Sequence, residues 1–401
     1  MVNITAHSRA TTVGFLTGRP RPQPVGGDSH RGETMDESER VVFLTTPSKG
    51  DGVRSHVEKA VETHGKRRNL LLKQLPHMET AIETLRNGNG DILAMSAFDW
   101  EQFDTKGLTI VGHLSRKEPT WVLVGEDKPE YLERDALLVC NHELVRRQMR
   151  RLRNDVNLVS LDDVVKRLNL EQAFAALDPD EVWPWVEWLR TEGHIAGFIV
   201  PRTIHADHRM KSRRHTLGLQ RDPSEDHRER FIPPPLHGFT LLVARDGFPK
   251  ANLADMTDPS AELAYRMEHA IINGLDPSLR DLVGAYVEQR KISTFLKNAS
   301  DQGDETMLNT LVDPNKKRGA YRGGPRVEML IETLNSSGTV TAACERIVLP
   351  ENSHIGMVNL LKEFMELLTI MTREHETSLR RIPGMPEGYH EAKPGLLDLD
   401  E

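Results

Sequence analysis

Ordered hydrophobic patterning begins only near Arg40. Before it, residues 1 to 34 hold Gly, Pro, Thr, Ser and four arginines, with few sizeable apolar residues, Phe15 and Leu16 among them. Such a stretch cannot bury enough surface to offset chain entropy. Residues 1–39 are therefore expected to be a disordered arm, or a start placed upstream of Met35. From Arg40 the pattern changes. Val41 to Thr45 reads as a buried strand, and Val53, Val57, Ala60 and Val61 repeat at helical spacing. A second strand at Asn69 to Leu75 is followed by a helical stripe of Met78, Ala81, Ile82 and Leu85. Asp91 to Met95 is a third strand. This alternation predicts a parallel sheet with functional loops at the carboxyl ends of its strands.

Further strands are predicted at Thr109 to Leu114 and Trp121 to Gly125. A second α/β series then starts near Leu137, with strands at Asn157 to Leu161 and His194 to Pro201. The Trp183, Trp185, Trp188 cluster reads as helix packing. Gly238 to Arg245 gives one more strand. Residues 203 to 230 read as a charged, solvated loop, and the His205-x-x-His208 pair lacks a third ligand of convincing spacing. No metal site is expected. The tail from Pro383 reads as disordered.

A chain of 401 residues fits two or three units of about 150 residues each. Its formal charge of -8 argues against general nucleic-acid binding. No apolar run approaches the ~18 residues of a membrane span. Cys140 and Cys344 are too few for a disulfide framework or a cysteine-rich zinc site. A reducing, cytoplasmic setting is the expectation, with no membrane or nucleic-acid partner and a monomeric state.

Two features carry candidate chemistry. Asp99 follows the third strand in Ser96-Ala97-Phe98-Asp99, at the sheet edge where crevice ligands bind. An acid there protonates a leaving group or holds a developing cation; on spacing alone an Asp after a strand is more often a helix cap. Arg146 and Arg147 lead a run that continues through Arg150, Arg151 and Arg153. Paired guanidiniums at a cleft suit carboxylates or phosphates, whereas a bare charge run is a solvated face.

Several local patterns, in order, resemble hydroxymethylbilane synthase (porphobilinogen deaminase). Gly90-Asp91-Ile92-Leu93-Ala94-Met95-Ser96-Ala97-Phe98-Asp99 is similar to the family's Asp-Ile-Ala-Val-His-Ser-Met-Lys-Asp. Asp99 and Ser96 are kept, while Met95 and Phe98 replace its His and substrate-binding Lys. Ser115-Arg116-Lys117-Glu118-Pro119 resembles the hinge segment. Asn141-His142-Glu143-Leu144-Val145-Arg146-Arg147-Gln148 stands where the family has Gly-Thr-Ser-Ser-Leu-Arg-Arg. Pro233-Pro234-Pro235-Leu236-His237-Gly238 resembles the return to the first domain. Glu268 to Tyr286 runs without a gap along the family's cofactor-anchor segment, and Leu279 occupies the position of the anchoring Cys.

The resemblance implies a three-domain α/β protein. Its first domain takes 40–128 plus 238–257 and its second takes 129–237, a hinged, periplasmic-binding-protein-like pair with parallel-rich sheets. The third is a small α+β domain over 258–382, with an insertion at about 291–326, and 383–401 is a disordered tail. The implied activity is condensation of porphobilinogen units with loss of ammonia, in porphyrin (heme) biosynthesis. Asp99 would be catalytic, and Ser48, Ser96, Arg146 and Arg147 would bind substrate or the dipyrromethane cofactor. With Leu279 at the anchor position, covalent attachment is not expected. The alternative is a non-catalytic binding or regulatory protein that reuses the cleft for a carboxylate-rich ligand.

Overall fold

The apolar run after Arg40 forms strand β1 (Val41–Thr45), and the stripe behind it forms helix α1 (Val53–Gly65). In this computed structural model, residues 40–47, 50–65, 69–117, 119–219, 227–311, 324–373, 375–376, 392–393 and 395–399 are described. The arm 1–39 and Ser48 lie outside them. The chain continues through β2 (Leu70–Gln74), α2 (Met78–Arg86), β3 (Ile92–Ser96), α3 (Ala97–Gln102) and β4 (Leu108–His113). Met78, Ala81, Ile82 and Leu85 are all buried, as a 3.6-residue period requires of a helix lying on a sheet. All five residues of β3 are buried because it is a central strand covered on both faces.

After a crossover at 114–120 come β5 (Trp121–Gly125), β6 (Leu137–Val139), α4 (Glu143–Leu152) and β7 (Asn157–Val159). Next are α5 (Leu161–Arg167), α6 (Glu171–Ala175), α7 (Val182–Thr191), β8 (Gly197–Pro201), α8 (Arg202–Asp207) and β9 (Arg214–Leu217). A second crossover leads back to β10 (Thr240–Arg245). The first sheet has the order β2-β1-β3-β10-β4 and the second β7-β6-β8-β5-β9. Numbered within each lobe, both read 2-1-3-n-4, where n is the strand beside a crossover. β1–β2, β1–β3, β6–β7 and β6–β8 are parallel, whereas β10 and β5 run antiparallel to their neighbours. The architecture is the expected two-lobed α/β pair with parallel-rich sheets.

Two boundaries need correction. Trp121–Gly125 pairs with β8 and β9, so the first domain ends at the 114–120 crossover and not at 128. The 203–230 stretch is not simply a solvated loop either: it contributes α8 and the edge strand β9, and His205 is buried with Nε2 3.0 Å from the Ser212 carbonyl oxygen. Among the described residues no group of His, Cys, Asp and Glu could hold a metal ion. Trp183 and Trp185 pack against the second-lobe core, and Trp183 stacks on Phe198.

The third domain is built from α9 (Pro259–Gly274), β11 (Val283–Arg290), β12 (Arg326–Leu334), β13 (Thr341–Val348) and α12 (Ser353–Thr372). Its antiparallel sheet buries Val283, Ala285, Val287, Val327, Met329 and Ile331 in one core with residues of α9 and α12. Gly284 and Tyr286 alternate to the opposite face, against Ile232 of the second crossover. The 291–326 insertion lies between β11 and β12 and contains α10 (Ile292–Gln302) and α11 (Glu305–Leu311). The tail, expected to be disordered, is ordered at its described residues. Ala392–Lys393 pairs with His375–Glu376, and Leu397 is buried in the third-domain core with its amide on the Met371 carbonyl. Leu397 and, in part, Leu399 give this acidic tail something to bury, while Leu396 stays exposed.

The crossovers lie side by side, with the Leu114 amide on the Thr240 carbonyl and the Lys117 amide on the Gly238 carbonyl. Gly238 has φ +79°, and a Cβ there would sit 2.1 Å from the Lys117 carbonyl oxygen. Both the backbone conformation and the close approach require glycine. Gly238→Ala is expected to cost about 2 kcal/mol or more, read as a lower urea midpoint with unchanged slope.

Candidate functional site

The carboxyl ends of β3 and β8 and the two crossovers enclose a cleft between the lobes. A cavity of about 160 Å³ remains there, lined by Gly50, Asp51, Ser96, Phe98, Pro201, Thr203, Ile204, Leu236, His237, Gly238 and Phe239. At roughly 30 Å³ per water, that is room for about five. The cleft is closed on one side. Thr203 Oγ1 donates to the Gly50 carbonyl oxygen at 2.5 Å, and the Gly52 amide donates to Asp207 Oδ2 at 3.1 Å.

An aromatic chain crosses its floor. Phe98 meets His237 edge-on at 4.8 Å, His237 meets Trp121 at 5.6 Å, and Trp121 meets His142 at 5.4 Å. Burial pushes the His237 imidazole down to about 3, reinforced by His142 and Arg116, and pushes His142 down to about 4. Both rings are therefore neutral near pH 7 and act as hydrogen-bonding or stacking groups. Asp281, in the loop between α9 and β11, is close enough to His142 to oppose this lowering. That loop also carries Leu279, whose side chain packs against the third-domain core.

The sequence-selected residues divide. Ser96 and Phe98 line the cavity; Asp99 does not. Ser96 caps α3 by accepting from the Asp99 amide at 3.0 Å, and its hydroxyl donates to Asp99 Oδ2 at 2.8 Å. Asp99 is 6% exposed. Its carboxylate thus closes the first turn of a helix, the alternative open on spacing alone. Arg146 and Arg147 do not reach the cleft lining. Arg146 Nε donates to Glu143 Oε2 at 2.6 Å, and Arg147 Nε to Glu143 Oε1 at 2.9 Å. Arg147 is fully buried and donates onward to the Leu334 carbonyl of β12 at 3.0 Å. The expectation that these two arginines grip a cleft ligand is corrected accordingly. Glu143, one helical turn before them, supplies a nearer anion. No lysine or arginine lines the cleft among the described residues. Cys140 is buried, and desolvation pushes its thiol up to about 12, so it is no nucleophile.

The resemblance also marked Arg116 and Glu268, which the structure brings together. Arg116 donates to both Glu268 oxygens, at 2.6 and 3.0 Å, and to the His237 carbonyl at 2.9 Å. Glu268 also accepts the Leu236 and Val287 amides, each at 2.8 Å. One carboxylate thus joins both crossovers to the third domain. Sequence reasoning missed His237 and Thr203 as cleft residues and His142 behind Trp121; His237 and His142 appear in the compared segments, but only folding places them around Trp121.

No family model and no curated protein matches the chain. Among solved structures, YhfZ from Shigella flexneri is 14% identical, with a TM-score of 0.25 over 60% of this chain and 99% of that one. A periplasmic substrate-binding protein of an ABC transporter from Coxiella burnetii is 11% identical, with a TM-score of 0.31 over 55% and 92%. A sulfate-bound mutant OxyR2 regulatory domain from Vibrio vulnificus is 12% identical, with a TM-score of 0.29 over 54% and 91%. No helix among the described residues is long and apolar enough to cross a membrane.

Proposed function

We infer that the chain is a two-lobed binding protein whose cleft closes on one compact small molecule without attaching it covalently. The observation that carries this reading is the cavity itself. Phe98, Ile204, Leu236 and Phe239 offer an apolar wall, while Asp51, Ser96, Thr203 and the neutral His237 offer polar contacts. Such mixed walls suit an aromatic ring bearing an amine, with Asp51 as the anionic partner. Porphobilinogen, a pyrrole with an aminomethyl group, combines these features with the ligand class the sequence resemblance implies; being larger than the 160 Å³ cavity, it would require the lobes to open around it. Its carboxylates would point toward solvent, because among the described residues no cation lines the cavity.

A divergent porphobilinogen deaminase-like transferase is the second reading. The loop carrying Leu279 approaches the cleft at His142, and Asp99 is retained one turn from the lining residue Ser96. In that reading Asp99 would steady the cation formed as ammonia leaves, and a dipyrromethane primer would be held non-covalently. Isothermal titration with porphobilinogen tests the first reading. Phe98→Ala and His237→Ala are expected to weaken binding about fivefold to tenfold, equal to roughly 1–1.4 kcal/mol. No heat of binding at millimolar porphobilinogen would sink it. Ammonia release that disappears in Asp99→Ala would establish turnover; intact mass is expected to equal the sequence mass in either case.

A further inference from the structure

A second cavity, of about 710 Å³, lies between the second lobe and the third domain and shares no residue with the cleft. Arg150 and Arg151 enter it from the last turn of α4, and Arg228 and Arg230 from the segment before the second crossover. Glu332 of β12 is the one carboxylate in its lining among the described residues, and Thr339 and Thr341 bring hydroxyls from the β12–β13 hairpin. These groups belong to a built site. Arg151 is nine-tenths buried and donates to both Glu332 oxygens, at 3.1 and 3.2 Å, and to the Arg230 carbonyl. Arg150 donates to the Ser336 carbonyl at 2.8 Å and to Glu143 at 3.2 Å.

Among the described residues its lining holds four arginines and one glutamate. Glu143 is already shared by Arg146, Arg147 and Arg150. Arg230 reaches Glu345 only at 3.6 Å. Among the described residues, Nε of Arg151, Nε of Arg230 and Nη2 of Arg147 are buried without an acceptor. Four arginines converging on one cavity from two segments give it a positive lining that an anion would complement. Guanidiniums arriving from two segments suit the several oxygens of a phosphate, which accepts forked N–H pairs from more than one direction. The volume falls within the roughly 300–1,000 Å³ of small-molecule sites, more than a single phosphate fills.

We propose that this pocket binds a phosphorylated small molecule with at least two phosphate groups, and that the ligand clamps the third domain onto the second lobe. Gly338 marks how tightly these parts meet, since a Cβ there would lie 2.6 Å from the Arg147 carbonyl oxygen and the Arg151 amide nitrogen. The α4 helix and the β12–β13 hairpin therefore have little freedom to separate once an anion bridges them. The pocket stands independently of the cleft reading.

The test is calorimetric titration of the full chain with pyrophosphate, and with citrate as a carboxylate control, at fixed ionic strength. Pyrophosphate is expected to bind and to raise the thermal midpoint. Arg228→Gln and Arg230→Gln are expected to weaken it about tenfold each, as loss of a charge-assisted contact does. Arg54→Gln, on the exposed face of α1, is expected to leave affinity unchanged. Thr339→Val, which keeps every charge, provides a variant independent of arginine folding effects and is expected to weaken pyrophosphate severalfold. Equal affinity in the native chain and all three pocket variants would overturn the proposal. So would citrate binding as tightly as pyrophosphate, or no response to millimolar pyrophosphate.

Discussion

Glu268→Ala is expected to lower folding stability by about 3–5 kcal/mol, the usual cost of removing one partner from a buried ion pair. Glu268 is fully buried, and Arg116 is 10% exposed at its side chain. Truncation would strand a guanidinium that stacks on Phe239 at 4.1 Å and Tyr286 at 4.8 Å, and would orphan the Leu236 and Val287 amides. Burial pushes the Glu268 carboxyl up, while Arg116 and the two amides pull it back. Against a typical total of about 5–15 kcal/mol, the loss is a large share of stability. Urea denaturation of Glu268→Ala, Arg116→Ala and the double variant checks this. The double variant is expected to be less unstable than the sum of the singles, because no charge is left unpaired. Strict additivity would mean the pair is not coupled.

Acid is expected to weaken the fold well before its carboxylates titrate. Burial pushes His56 and His113 down to about 4, with Lys117 and Lys59 adding to the first and Lys250 and Arg266 to the second. His142 falls to about 4 and His237 to about 3. In the unfolded chain a histidine titrates near 6.5. Between about pH 6.5 and 4 the unfolded state therefore binds more protons than the folded one, so stability falls as pH falls. The contribution is fully present above about pH 6.5 and lost on acidification toward 4. A shift of this size corresponds to about 3 kcal/mol for each fully buried ring, as an upper figure. His56 retains a partner, since its Nδ1 lies 3.0 Å from Thr240 Oγ1. His113 has no acceptor or donor on either ring nitrogen among the described residues and lies against Tyr265 at 5.0 Å. His113→Phe is accordingly expected to flatten the fall between pH 6.5 and 4 and to cost little at pH 7. A pH profile identical to that of the native chain would refute this assignment.

Much of the scaffold was legible in the sequence because local pattern and burial agree. The alternation of Val41 to Met95 encodes strand, helix, strand, helix, strand, and the 3.6-residue stripe at Met78, Ala81, Ile82 and Leu85 is buried as written. Where local pattern is silent about partners, the expectations missed. Trp121–Gly125 reads as a strand either way, and only its pairing with β8 and β9 assigns it to the second lobe. Leu397 looks like part of an acidic tail until the third domain offers it a core.

The site divides along the same line. The sequence by itself determined that Ser96 and Asp99 stand at the end of a buried strand and that Arg146 and Arg147 share a helix, since both follow from short-range spacing. It also determined that Leu279 brings no nucleophile to its loop. Tertiary structure alone decided which charges meet. Glu268 captures Arg116 from 152 residues away, Glu332 meets Arg151 from 181, and Arg147 reaches the Leu334 carbonyl from 187. The reason is physical. Backbone periodicity fixes which face a side chain occupies over a few residues, whereas a buried charge takes whichever counter-ion long-range packing brings within hydrogen-bond reach.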